Sequence, residues 1–325
     1  MKKTGLSFFV LLLLGAFHLL PAQRSRLPAS AKARITEGYV SVALQVNAFH
    51  YTGDIPSGLS MTRPGLTAYL SRKLSPHLHA RLGLSWGRIE GDDFLTAENS
   101  GTYARNLHFR NDLAELSLMG VWEFIPSFGK HGRRAGFSPY LFGGLALVHH
   151  NPQAKIPTTL GDEWADLQPL GTEGQGRPGY AAPYSKVQWA FPVGLGLTWA
   201  LNKRWNLGVE TSVRFMFFDY LDDVSGQYPH LYDLGNPLAV ALSNRTLEAT
   251  NARNGAARNL EAVSGRFGAP ISYIGFDGQV YETVPSFERG QSTRGNPQSR
   301  DMYFVTGIHL SYIINVGLKC PQFLW

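Results

Sequence analysis

The sequence predicts an all-β protein: an eight-stranded antiparallel up-and-down transmembrane β-barrel with short periplasmic turns and long extracellular loops. Three observations lead to this fold class. Eight segments alternate large apolar side chains with small or polar ones, the clearest of them carry aromatic residues but no charge on their apolar side, and the connections alternate between long and short. A repeat of two residues is the pattern of a β-strand with two unlike faces.

The clearest alternation lies in residues 187–218. Apolar side chains occupy every second position from Val187 to Leu201 and, after a turn at residues 202–204, from Trp205 to Phe217 with the exception of Thr211. The opposite side carries glycine, small polar residues and charge. In a water-soluble barrel the large apolar side chains would fill the interior, whereas in a membrane barrel they face lipid and the other side lines the lumen. The absence of charge on the apolar side favours the membrane barrel, with outer-membrane lipid as its surroundings.

Six further segments carry the same repeat, at residues 39–49, 65–73, 78–87, 114–124, 140–148 and 303–316. Residues 140–148 are apolar on both sides, so the sequence does not assign their faces. The connections are residues 50–64, 75–77, 90–106, 125–138, 149–186, 202–204 and 219–300. Their alternation in length is typical of a barrel with both termini in the periplasm, where the turns are short.

The turn at residues 125–138 is longer than a minimal periplasmic turn. It contains Lys130, Arg133 and Arg134, which makes it a candidate contact surface for a periplasmic partner. The alternative is a solvated basic loop. Basic residues elsewhere are scattered and form no stripe, although the formal net charge is +6, and this argues against a nucleic-acid partner.

The chain begins Met-Lys-Lys, and an apolar run from Leu6 to Leu20 is followed by Pro21-Ala22. This pattern predicts a signal peptide over residues 1–22; a membrane anchor is the alternative and needs about 18–20 apolar residues. We expect an N-terminal periplasmic segment at 23–38, the barrel at 39–316 with a long extracellular loop at 219–301, and a periplasmic tail at 317–325. Cys320 in that tail is the only cysteine, and the sequence pattern leaves open whether it is a spare thiol or half of an intermolecular disulfide.

The predicted lumen of an eight-stranded barrel is just filled by side chains. The charged residues on the inward side of the pattern include Arg81, Glu115, Glu123, Glu210 and Arg214. An unpaired charge in so narrow a space costs several kcal/mol. We therefore expect opposite charges to pair as a structural plug, with no open pore.

Few residues point to catalysis or metal binding. The glycine-rich residues 171–176 lack a following Lys-Ser or Lys-Thr, so they predict a flexible turn and not a phosphate loop. Five carboxylates lie at strand-to-loop junctions and are better explained as a solvated rim than as a calcium or hydrolytic site: Asp92, Asp93, Asp219, Asp222 and Asp223. His149-His150 lacks a second pair at metal-ligand spacing. We expect no catalytic residue, metal or cofactor, and a protein that is not an enzyme.

Several short motifs resemble one family. They are Tyr51-Thr52-Gly53-Asp54, Arg105-Asn106-Leu107 leading to Phe109 and Glu115, Pro139-Tyr140-Leu141-Phe142 with Asn151-Pro152, residues 167–176, residues 219–225, and Lys319-Cys320-Pro321. With these motifs the chain resembles the PorG-like outer-membrane barrels of the type IX secretion system over nearly its whole mature length, and least over residues 231–296.

The resemblance implies a non-enzymatic component of a protein secretion and gliding motility apparatus. Barrels of this family associate on the periplasmic side with a ring built from a lipoprotein and a soluble partner, and they anchor that ring to the outer membrane. The resemblance also strengthens the expectation of an intermolecular disulfide from Cys320 to the ring lipoprotein. Two alternatives stay open: a surface adhesin that uses the long last loop, and an outer-membrane barrel enzyme with a site at the rim.

Overall fold

The structure is a computed structural model that describes residues 39–126, 135–274 and 278–314. Within these ranges eight long strands form the barrel: β1 (Val40–Thr52), β2 (Arg63–Lys73), β3 (Leu78–Asp92), β4 (His108–Glu123), β5 (Phe137–His149), β8 (Val187–Ala200), β9 (Trp205–Met216) and β12 (Met302–Ile314). Each strand pairs antiparallel with the next in this order, and β12 pairs with β1, so the sheet closes. The predicted eight-stranded up-and-down barrel is confirmed.

The described parts of the long connections contain shorter elements. Four short strands are β6 (Pro152–Lys155), β7 (Trp164–Asp166), β10 (Ile271–Ile274) and β11 (Val280–Thr283). Three helices are α1 (Gly101–Arg105), α2 (Pro237–Ser243) and α3 (Leu260–Phe267), and single 3₁₀ turns occur at Leu59–Met61, Asp93–Leu95, Leu231–Leu234 and Pro285–Phe287. No helix in the described ranges is long and apolar enough to cross a membrane.

The predicted faces of the β8–β9 hairpin are confirmed. Trp189 and Leu195 are 54% exposed on the outside of the sheet, whereas Glu210 and Arg214 are buried in the lumen. The structure also assigns the faces of β5. Tyr140 and Phe142 point inward and are buried, while Leu141 and Leu145 lie on the outside with the other apolar residues.

Two rings of exposed aromatic side chains bound the outside of the barrel. Those at the loop end are Trp86, Trp189, Phe191, Phe215 and Phe304, and those at the turn end are Trp122, Phe124, Phe137, Trp199 and Trp205. Trp189 and Trp199 lie on the same strand and are separated by roughly 25 Å along the barrel axis, given the rise of a tilted strand. This apolar band between aromatic rings matches the hydrocarbon thickness that an outer-membrane barrel spans. The protein is an outer-membrane β-barrel.

Several strands are longer at the loop end than the sequence predicts. The segment predicted at residues 78–87 continues to Asp92, and the one predicted from residue 114 begins at His108. The outward residues there, such as Arg88, Arg110 and Asp112, are polar because these strand ends project beyond the lipid. The apolar repeat therefore stops before the strand does.

Parts of the predicted domain plan lie outside the described residues. These are the signal peptide (1–22), the N-terminal periplasmic segment (23–38) and the C-terminal tail (317–325). The same holds for most of the turn at residues 125–138, of which 127–134 are not described.

Candidate functional site

The lumen contains two buried ion pairs made from the predicted inward charges. Arg81 Nη1 donates to Glu210 Oε2 at 2.8 Å, and the Tyr140 hydroxyl donates to the same oxygen at 2.8 Å. Arg214 Nε donates to Glu115 Oε2 at 3.1 Å, and Tyr303 donates to that oxygen at 2.8 Å. Each carboxylate thus has a guanidinium and a tyrosine hydroxyl, which compensates for the loss of water.

Glu123 lies at the periplasmic end and pairs with residues outside the predicted set. Its Oε2 accepts from Lys73 Nζ at 2.9 Å and lies 3.3 Å from His79 Nε2. Lys73 follows Tyr69 and Ser71 on the inward side of β2, so the alternation could have identified it. A cavity at this end measures only about 50 Å³. Buried ion pairs and aromatic rings thus occupy much of the described lumen.

The extracellular mouth contains a second polar network, centred on Tyr51 at the end of β1. Its hydroxyl lies 2.7 Å from Asp222 Oδ2 and 2.5 Å from Asp301 Oδ1. Asp222 also accepts from the backbone N–H groups of Ile55 and Val224, at 3.0 and 2.9 Å. A tyrosine has one hydroxyl proton, so at least one of the two carboxyl groups must carry a proton of its own. Burial raises the pKa of Asp222 to about 8, and the nearby charge of Asp54 adds to the shift.

Arg105 connects α1 to this network. Its Nε and Nη2 donate to the two oxygens of Asp93, both at 2.7 Å. The same guanidinium donates to the backbone carbonyls of Asp54 at 2.9 Å and Arg294 at 2.5 Å. One side chain therefore holds three loops together.

The glycine-rich residues 171–176 complete the network. The Glu173 carboxylate accepts from the backbone N–H groups of Ser225 and Gly226, at 3.0 and 2.9 Å, and from Arg294 Nη1 at 3.2 Å. The hydroxyls of Thr172 and Tyr184 both donate to Asp223. These residues form turns, as the sequence predicts, but they are largely buried, because they pack into the mouth of the barrel.

The carboxylates at the strand-to-loop junctions do not form a solvated rim. Asp92, Asp93, Asp219, Asp222 and Asp223 are each at most 7% exposed. The long loops fold over the mouth and bring backbone N–H groups and two arginines to most of these carboxylates, which is why they are buried. In the described ranges, no group of three or more histidine, cysteine, aspartate or glutamate side chains is placed to hold a metal ion.

Asp219 differs from its neighbours. Both of its carboxylate oxygens are buried, and contacts with Ser225 and with the backbone N–H of Asp301 offset only part of the effect of burial. Burial raises the pKa of Asp219 to about 7, and the charges of Asp54 and Glu173 act in the same direction.

The long last loop is folded against the rest of the mouth. Arg258 donates to the backbone carbonyls of Glu248 at 2.6 Å and of Tyr103 and Ala104 at 2.9 Å. Arg245 is almost fully buried and pairs with Glu248 at 2.7 Å. The loop therefore packs on α1 through buried arginines that satisfy carbonyl groups, a role that no sequence repeat reveals.

The predicted periplasmic contact residues Lys130, Arg133 and Arg134, and Cys320 in the tail, lie outside the described residues. The motifs on the extracellular side are all described. Residues from four of them meet in the network at the mouth: Tyr51 and Asp54, Arg105, Thr172 and Glu173, and Asp222 and Asp223. Segments far apart in the sequence thus form one structural unit.

No protein-family model matches the chain, and no curated protein matches it. Among solved structures, it is similar to Neisserial surface protein A at 7% identity and a TM-score of 0.37, over 84% of this chain and 96% of that one. It is also similar to the outer membrane protein OprG of Pseudomonas aeruginosa, at 8% identity and a TM-score of 0.37, over 86% and 98%. A third is Ail, the attachment invasion locus protein of Yersinia pestis, at 7% identity and a TM-score of 0.35, over 86% and 100%. At these values the similarity says nothing about function.

Proposed function

We propose that this barrel is an outer-membrane component of the type IX protein secretion and gliding machinery. In this role it anchors a periplasmic ring, made of a lipoprotein and its soluble partner, to the outer membrane. The observation that carries the proposal is the convergence of the family-like motifs in one buried network over the mouth. A shared network of this kind gives a structural reason for these motifs to occur together in one chain.

The filled lumen favours a role as a scaffold and argues against a role as a channel. Two buried ion pairs occupy the interior, and the folded loops lie over its extracellular end. A barrel without a passage acts through its surfaces. The periplasmic surface that we propose for ring binding comprises the turn at residues 125–138, with Lys130, Arg133 and Arg134, and the tail with Cys320.

The disulfide proposal is tested on native membranes. A non-reducing gel should show a heavier band that contains this chain, disappears on reduction and is absent from the Cys320→Ser variant. An unchanged band pattern in the variant would reject the disulfide. Crosslinking from the turn at 125–138 and from the tail, with partners identified by mass, should recover a lipoprotein and a soluble periplasmic protein.

Secretion itself distinguishes the scaffold from a surface adhesin. Cells that lack this barrel should fail to export the substrates of the secretion system. Cells that carry a barrel without residues 231–296 should still export them if the ring is bound from the periplasm. Normal export in the complete absence of the barrel, with loss of surface binding alone, would contradict the proposal and favour the adhesin.

A further inference from the structure

A groove lies on the lipid-facing outside of the barrel, in the half toward the short turns. It has a volume of about 560 Å³ and crosses β9, β12 and β1. The outward side chains that line it include Val42, Leu44, Trp205, Leu207, Leu310 and Tyr312. This lining is apolar except at the end that Trp205 and Tyr312 close. A groove of this composition within the apolar band suits a hydrocarbon chain.

Arg204 lies at the turn-end rim of this groove. It belongs to the turn between β8 and β9, and its Nη1 donates to the Tyr312 hydroxyl at 2.9 Å. Tyr312 packs against Trp205, with ring centroids 4.9 Å apart. The guanidinium is therefore held beside the two aromatic side chains that close the groove. Its other two nitrogens make no hydrogen bond with a described residue, so they are free to donate to a ligand.

The positive charge at this rim has no carboxylate to balance it. Arg204 and its neighbour Lys203 are exposed, and neither forms an ion pair with a described residue. Among the carboxylates in the described ranges, Glu123 is the one at this end of the barrel. It lies in the lumen, where Lys73 Nζ donates to it at 2.9 Å. An anion beside Arg204 thus displaces no existing ion pair.

The position of the groove favours a lipid over a protein as its occupant. Trp205 belongs to the aromatic ring at the turn end, so the groove lies at the depth of acyl chains and Arg204 at the depth of head groups. The short turns are periplasmic, and the leaflet at this end is the inner leaflet of the outer membrane, which consists of phospholipids. Arginine binds phosphate oxygens through paired N–H groups. An acidic periplasmic protein could contact Arg204 but could not fill the groove.

We propose that this groove binds one anionic phospholipid of the inner leaflet, of the phosphatidylglycerol class. Its acyl chains pack along β9, β12 and β1. Its phosphate accepts hydrogen bonds from Arg204, and Lys203 adds to the attraction. The proposal depends on the placement of the barrel in the outer membrane and is independent of the role in secretion.

The test uses the full chain, folded in an uncharged amine-oxide detergent, and native mass spectrometry to count bound lipids during a titration. Dioleoyl phosphatidylglycerol should bind more tightly than dioleoyl phosphatidylcholine, which has the same acyl chains and no net charge. Arg204→Gln should weaken binding of phosphatidylglycerol about fivefold, as expected for one exposed ionic contact, and leave phosphatidylcholine unchanged. Val42→Trp fills the groove and should weaken binding of both lipids.

Two variants are matched controls. Arg300→Gln removes an exposed arginine at the opposite end of the barrel, and Val187→Trp makes the same enlargement at a lipid-facing position outside this groove. Both should bind phosphatidylglycerol as the native chain does, and a shift in gel mobility on heating verifies that each variant is folded. The proposal is overturned if the native chain binds the two lipids equally, which would leave the cations for an acidic partner protein. It is also overturned if folded Arg204→Gln and Val42→Trp bind phosphatidylglycerol normally, or if Arg300→Gln weakens binding as much as Arg204→Gln.

Discussion

Arg214 and Glu115 are the most enclosed ion pair of the lumen, with side chains 5% and 1% exposed. Arg214→Met leaves the carboxylate buried with only the Tyr303 hydroxyl. We expect this variant to lower the free energy of unfolding by about 3–5 kcal/mol. The double variant Glu115→Gln/Arg214→Met removes the charge as well and should recover most of that loss in urea denaturation. Arg72→Met, at an exposed arginine, is the control, and a double variant no more stable than the single one would contradict the argument.

Asp219 predicts a pH dependence at the mouth. Its pKa is about 7 in the folded protein, while an unfolded aspartate titrates near 4. Between these values the folded state holds more protons than the unfolded state, so the free energy of unfolding falls as the pH rises, and the loss is complete above about pH 7. Asp219→Asn cannot ionise. It should match the native protein near pH 4 and exceed it by on the order of 2 kcal/mol near pH 8 in urea denaturation. Equal stability at both pH values would show that Asp219 is not buried as described.

At the scale of single residues, the sequence predicts the face of a charged side chain but not its partner. Alternation places Arg81 and Glu210 in the lumen. It does not show that they meet, because they are 129 residues apart and their contact depends on strand tilt and register. The burial of Asp222 and Asp301 could not be predicted from the sequence, for another reason. Loop sequences show no alternation, so the burial of a loop residue becomes visible only once the loops are folded over the mouth of the barrel.

Among the strands, β5 and β8 fit together through glycine. A Cβ atom on Gly196 would overlap the ring of Tyr140, and one on Gly194 would overlap the ring of Phe142. The two inward aromatic rings of β5 thus pack closely against the backbone of β8. This explains why both sides of residues 140–148 are apolar: the inner side fills space that glycine leaves open.

Gly196→Val should displace Tyr140 and with it the hydrogen bond to Glu210. Overpacking of this kind costs about 1–3 kcal/mol, and the loss should be visible in urea denaturation. Leu195→Val changes the lipid-facing side of the same strand and should have a smaller effect. If Gly196→Val were as stable as the native barrel, the close approach of Tyr140 to β8 would be excluded.

For the whole molecule, the sequence predicts the barrel well because membrane and lumen impose a repeat on every strand. The loops escape this reasoning. The same residues that suggested a solvated rim instead form a buried network that connects β1, α1, residues 171–176 and the last loop. Contact with lipid thus determines the sequence pattern of the barrel strands, whereas the structure of the mouth depends on pairings between polar residues that are distant in the sequence.

The filled lumen predicts that the barrel conducts no steady ionic current. The full chain in a planar lipid bilayer should show no steady open channel, because paired charges and aromatic rings fill the lumen. Removal of residues 231–296 should also give no steady current, since those residues lie above the lumen and not inside it. Replacing Arg81, Glu115, Glu210 and Arg214 together by alanine should instead give small, flickering currents if the barrel still folds. A large steady conductance of the native chain would mean that the lumen is not filled as described, and it would remove the argument that a filled lumen favours a scaffold.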